Sequence, residues 1–112
     1  MPSAALPPHV HSAVEAFLAR VREHFGARLS EARVYGSFAR GDAGPDSDVD
    51  VFVRVDDINH GERGLLFELA AEASLDHLVT LQVFAPSLEE YDWLDRNECR
   101  IVRDIKAEGI AL

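Results

Sequence analysis

Apolar residues recur along the chain with two different periods, and each change of period marks an element. Val10, Val14, Phe17, Leu18, Val21 and Phe25 fall three or four residues apart, the spacing that gathers side chains on one face of an α-helix. Pro7 and Pro8 precede that run and Gly26 follows it as a stop. Glu31 to Tyr35 is a short β-leaning run that ends at Gly36-Ser37, a turn from strand into helix, and Gly41 to Ser47 (GDAGPDS) reads as a loop. From Asp48 to Val55 the period becomes two. Asp48, Asp50, Phe52 and Arg54 share one side, and Val49, Val51, Val53 and Val55 share the other, which predicts a strand with one buried valine face.

The second half repeats the alternation of element types. Gly61 and Gly64 stand near the entry of a leucine- and alanine-rich helix running to about Leu75. Leu78 to Phe84 (LVTLQVF) alternates again and predicts a third strand, with Thr80 and Gln82 opposite Val79, Leu81 and Val83. Ser87 and Glu90 have the spacing of a capping box at the start of the next helix. A last helix is expected over Glu98 to Glu108, with Ile101, Val102 and Ile105 inward and Gly109 as its stop. Interleaved helices and strands without an internal repeat or linker imply an α/β or α+β class, with a small mixed sheet of three to four strands flanked by helices. At 112 residues and 47% hydrophobic content, residues 1–112 are expected to form a single domain around one core.

Charge narrows the partners. Eleven basic residues against twenty acidic ones give a formal net charge of −9, so the surface as a whole repels a nucleic-acid backbone, and no long nucleic acid is expected as substrate. A nucleotide bridged by a divalent cation is compatible with this charge, and a basic protein partner is favoured by it. No apolar stretch approaches the length of a membrane span, the opening MPSAALPPHV lacks the basic-then-apolar order of a secretory signal, and Cys99 is the lone cysteine. A cytoplasmic location with no membrane partner is therefore expected. The five histidines show no metal-ligand spacing and read as surface or helix-end residues. Tyr91, Trp93 and Leu94 lie in the helix after Ser87, where aromatic residues complete a core or meet a partner, packing being the expectation.

The chemistry is concentrated between Val34 and Val53, in VYGSFARGDAGPDSDVDVFV. Gly36 lets a backbone approach an anion closely, and Ser37 starts a helix whose free amide groups, with its own hydroxyl, suit a phosphate. Asp48 and Asp50 project from one side of a strand with Cα atoms about 6 to 7 Å apart, so their carboxylates can converge on one site. Two carboxylates plus phosphate oxygens are a usual ligand set for Mg2+. Arg40, one turn into the short helix, is placed to meet the same phosphates.

Gly36-Ser37, ten intervening residues and Asp48-Val49-Asp50 resemble the signature of the DNA polymerase β-type nucleotidyltransferase superfamily. The fuller string GSFARGDAGPDSDVDVFV is similar to its minimal members, the MNT domains, and the helix and strand order extends the resemblance over most of the chain. The resemblance implies a nucleotidyltransferase fold, nucleotide phosphate on Gly36 and Ser37, and Mg2+ on Asp48 and Asp50 as the catalytic pair. It further implies ATP or another nucleoside triphosphate as ligand and a HEPN-type toxin as partner, with the MNT domain as antitoxin and, in some pairs, AMP transferred from ATP onto the toxin. One departure stands out. A third carboxylate normally comes from the neighbouring strand, where this chain offers Thr80 and Gln82, neither of which ionises. Asp76 lies just before that strand and is not expected to take the role. Two readings follow from this pattern. One is a transferase passing AMP to a protein hydroxyl; the other is a catalytically silent relative that neutralises a partner by masking it.

Overall fold

The computed structural model describes residues 6–112; the opening residues 1–5, read above for a leader sequence, lie outside that range. Helix α1 spans Pro8–Phe25 and buries the whole predicted stripe from Val10 to Phe25. Pro8 opens it, where a missing N–H costs nothing, and Gly26 closes it at φ 54, a backbone conformation few other residues adopt. A single 3-10 turn over Gly26–Arg28 leads into β1, Leu29–Tyr35. The one-turn helix α2, Ser37–Arg40, precedes the loop to β2, Val49–Val55. There follow α3 (His60–His77), β3 (Leu81–Phe84), α4 (Leu88–Arg96), α5 (Arg100–Glu108) and β4 (Ile110–Ala111).

The four strands form one mixed sheet in the order β3-β2-β1-β4. β1 runs antiparallel to both β2 and β4, and β2 runs parallel to β3. A parallel pair needs a crossover, and α3 supplies it. The valine face of β2 is buried, as expected, in a cluster that includes Ala32 and Val34 of β1 and the inward stripes of α1 and α3.

The opposite face departs from the expectation. Phe52 shares the side of Asp50 and Arg54, away from the one face predicted to be buried, yet it is fully buried. A central strand with helices on both faces cannot keep a solvated side throughout its length. The rings of Phe84 and Tyr91 lie 6.0 and 5.6 Å from that of Phe52, and the Arg54 guanidinium sits 5.2 Å from the Tyr91 ring centre. Val102 and Ile105 of α5 are buried as well. Tyr91 therefore takes the core role expected of it, whereas Trp93 on the same helix is half exposed.

Several boundaries move. Helix α3 continues to His77, where Leu78 turns the chain in a left-handed conformation (φ 55) with 91% of its surface exposed, so β3 begins at Leu81 and not at Leu78. The strand predicted from Asp48 starts at Val49, and the last helix starts at Arg100, after a left-handed Glu98. Both reciprocal bonds of the Ser87–Glu90 capping box are present, and Asn59 with Glu62 forms a second box at the head of α3. Glu62 also takes two bonds from Arg28, at 2.6 and 2.9 Å, and these first, with the Asn59 amide second, hold its carboxyl down at about 2. That bidentate pair ties the start of β1 to the crossover helix.

Phe52→Ala removes the centre of the second apolar cluster and is expected to cost about 3–5 kcal/mol, against about 0.5 kcal/mol or less for Trp93→Ala on the neighbouring exposed position. Urea unfolding of the two variants beside the parent chain measures both.

Candidate functional site

β1 delivers Gly36 at its end with φ 76, and this glycine caps α2. A Cβ built on Gly36 would fall 2.3 Å from Oδ2 of Asp50. Glycine is favoured there on two counts, because the positive φ strains any side chain and a Cβ would force the Asp50 carboxylate to shift. The first bond of α2 runs from the Arg40 amide to the Gly36 carbonyl at 3.0 Å. The amides of Ser37, Phe38 and Ala39 come before it in the turn and so have no partner within the helix.

The loop between α2 and β2 closes on itself, with Ser47 Oγ accepting from the Gly44 amide at 2.8 Å, and hands Asp48 to the head of β2. Asp48 thus precedes the strand, whose first residue, Val49, donates its amide to the Thr80 carbonyl at 2.8 Å. Asp50 lies within the strand, opposite Tyr35 of β1 and Gln82 of β3. Across these three strands Tyr35, Asp50 and Gln82 form one row on one face of the sheet.

The register also separates the two candidates for the missing acid. Thr80 lies outside β3 and contributes a backbone carbonyl, whereas Gln82 is the residue aligned with Asp50. The Gln82 amide nitrogen donates to Oδ2 of Asp48 at 2.7 Å. Asp76 is on α3 and pairs with Arg20 at 3.1 Å, away from the site. Arg40 does not point at an open phosphate position: it donates to Asp42 at 3.2 Å and to Glu108 at 2.9 Å, and these two carboxylates raise its pKa.

Burial pushes the Asp50 carboxyl above the ordinary aspartate value, the nearby Asp48 carboxylate pushes it the same way, and Arg40 opposes both. Burial also pushes the Tyr35 phenol up to about 12, with Asp50 and Asp104 adding to it. No salt bridge reaches Asp48 or Asp50 among the described residues. Two carboxylates that repel each other beside a glycine turn fit a divalent cation that draws its other ligands from phosphate and water. They do not fit a cation held by protein alone, since no group of three or more His, Cys, Asp or Glu residues among the described residues has the geometry for one.

A cleft of about 430 Å³ opens beside Asp48, lined also by His9, Phe38, Ser47, Leu75 and Leu78. Gly36, Ser37, Asp48, Asp50 and Gln82 are thus neighbours, Arg40 is close but engaged, and Thr80 lines the cleft from outside β3 while its carbonyl bonds to Val49. Tyr35 and His9 were not singled out from the sequence. The alternation of Glu31, Arg33 and Tyr35 through β1 carried a signal for the first, because it puts Tyr35 on the aspartate face; nothing local marked His9.

The family model described as nucleotidyltransferase domain matches residues 14–111. Comparison with curated proteins gives no match. Among solved structures, the chain is similar to a toxin–antitoxin crystal structure with AMP-PNP, at 16% identity and a TM-score of 0.59, over 87% of this chain and 70% of that one. It is also similar to a mutant of the toxin–antitoxin MntA-HpeT, at 13% identity and a TM-score of 0.56, over 84% and 68%. Both have the same fold.

Two outcomes are expected at this site. Gly36→Ala should destabilise the chain by about 1–3 kcal/mol through strain and the clash with Asp50, and by less in an Asp50→Ala background, where only the backbone strain is left; a double-mutant cycle of thermal midpoints shows the difference. The raised Asp50 carboxyl means that the folded chain binds its proton more tightly than the unfolded chain, so stability falls as pH rises from the ordinary aspartate value through the raised one. Asp50→Asn should therefore stabilise the protein at neutral pH, with the advantage vanishing in acid below the ordinary aspartate value, as unfolding at a series of pH values would record.

Proposed function

Since the chain belongs to the nucleotidyltransferase domain family, we propose that it is an MNT-type antitoxin that binds ATP with Mg2+ and passes AMP to a hydroxyl of a HEPN-type toxin. The observation that carries this reading is the packing of Gly36 against the Asp50 carboxylate, because it makes the phosphate turn and the carboxylate pair one site. In this reading the amides after Gly36 and the Ser37 hydroxyl hold phosphate oxygens, and Asp48 and Asp50 hold the cation. Once bound, the cation supplies charge neutralisation and polarises the phosphoryl group. Arg40 exchanges its carboxylate partners for phosphate. The acceptor oxygen bonds to the α-phosphorus as the bond to pyrophosphate breaks, and the hydroxyl proton leaves to solvent. The neighbours' descriptions, toxin–antitoxin in both and AMP-PNP in one, support the choice of ligand and partner.

One observation favours a second reading, a silent module that masks its partner. Gln82 stands in register with Asp50 where an acid would complete the set, so no side chain there can take the proton of an attacking hydroxyl. The net charge of −9 suits capture of a basic protein in either case.

Calorimetric titration with ATP should show binding that requires Mg2+ and weakens by at least about tenfold in Asp48→Asn/Asp50→Asn. Intact-mass measurement of a co-expressed HEPN-type partner should show the mass of added adenylyl groups. Absence of ATP binding would overturn the nucleotide reading, and full neutralisation by the double variant would establish masking.

A further inference from the structure

Gln82 is the residue whose placement the family reading leaves unexplained. Its backbone aligns with Asp50 and its side chain bonds to Asp48, so it meets one aspartate through the sheet and the other through its amide. A carboxylate at this position would add a third negative charge beside an Asp50 that burial and Asp48 already disfavour as an anion. The amide adds none. It also does what a carboxylate cannot: it donates, at 2.7 Å, to an oxygen of Asp48.

An N–H bonded to a carboxylate oxygen occupies one of its lone pairs and draws off part of its charge, so it competes with a cation for that oxygen and weakens it as a ligand. Its side chain is exposed on the outer strand β3, so nothing in the packing demands a glutamine for stability.

We propose that Gln82 is a positioning residue that sets the cation affinity of the Asp48–Asp50 pair. Its N–H holds Asp48 in the cation-free chain and must give way before a divalent ion gains the full charge of Oδ2. The proposal rests on the reading of Asp48 and Asp50 as a cation site. It makes uptake of a free ion weak and leaves phosphate oxygens to complete the site.

The test is titration of the full chain with Mn2+ alone, followed by water-proton relaxation, for the parent chain, Gln82→Ala and Gln82→Glu. The alanine variant removes the competing donor and should bind about three- to tenfold more tightly than the parent. The glutamate variant also adds an anionic ligand and should bind more than about tenfold more tightly. In the parent chain the Gln82 side-chain amide resonances should shift as Mg2+ is added, a readout that a purely structural glutamine would not give. Equal affinities in the three proteins, weaker binding by Gln82→Ala, or no binding by any of them would overturn the clamp. Thermal midpoints taken alongside confirm that each variant is folded. Failure of this proposal is separable from failure of the reading it rests on. The expected Mn2+ order without ATP binding keeps the clamp and removes the nucleotide, whereas Mg2+-dependent ATP binding with equal Mn2+ affinities does the reverse.

Discussion

β2 is hydrogen-bonded on both edges and covered on both faces, and the rest of the molecule takes its position from that strand. Its valines bury against α1 and α3, its phenylalanine against Phe84 and Tyr91, and at one end it holds Asp50 within the sheet with Asp48 just before it. Burying such a strand leaves little freedom in its register, because a slip of one residue would send Asp50 into the valine cluster and a valine into the site. The antiparallel pairing with β1 then brings Tyr35 and the Gly36 turn beside Asp50, and the parallel pairing with β3 brings Gln82. The chemistry at one end is thus fixed by apolar packing further along the same strand.

Charge is distributed so that this end is left unmatched. Arg20 pairs with Glu72 and Asp76, Arg28 with Glu62, Arg40 with Asp42 and Glu108, and Lys106 with Asp95. Exposed pairs of this kind contribute about 0–1 kcal/mol each, so their number says little about stability. Their arrangement says more, since none of them reaches Asp48 or Asp50, on which Arg40 acts only through space.

The parts of the fold that were legible in the sequence are those whose signal is local. The α1 stripe, the valine face, the Gly36-Ser37 turn and the Asp48-Val49-Asp50 spacing each lie within one segment, and each has a physical reason that a single segment can express. What escaped is non-local. Alternation leaves Phe52 off the predicted buried face, on the side of Asp50 and Arg54, and the helices that return over that side bury it. The two residues of β4 have no period to read, and their pairing with Arg33 and Val34 exists only once α5 has brought them there. Leu78 and Val79 extend the alternation of β3, yet the left-handed turn at Leu78 ends α3 and delays the strand. Thr80 and Gln82 were equivalent by alternation, and the strand register alone told them apart.

The two faces of β2 are unequal. The cluster against α1 and α3 includes most of the buried side chains, whereas the face bearing Asp50 is closed by a small group around Phe52, Val102 and Ile105. Regions with few buried apolar contacts open at lower free energy than the whole chain unfolds. α4 and α5 cover the more thinly packed of the two faces and are the elements with least apolar packing to hold them. Amide exchange across α4 and α5 then runs ahead of exchange in α1, α3 and the valine face.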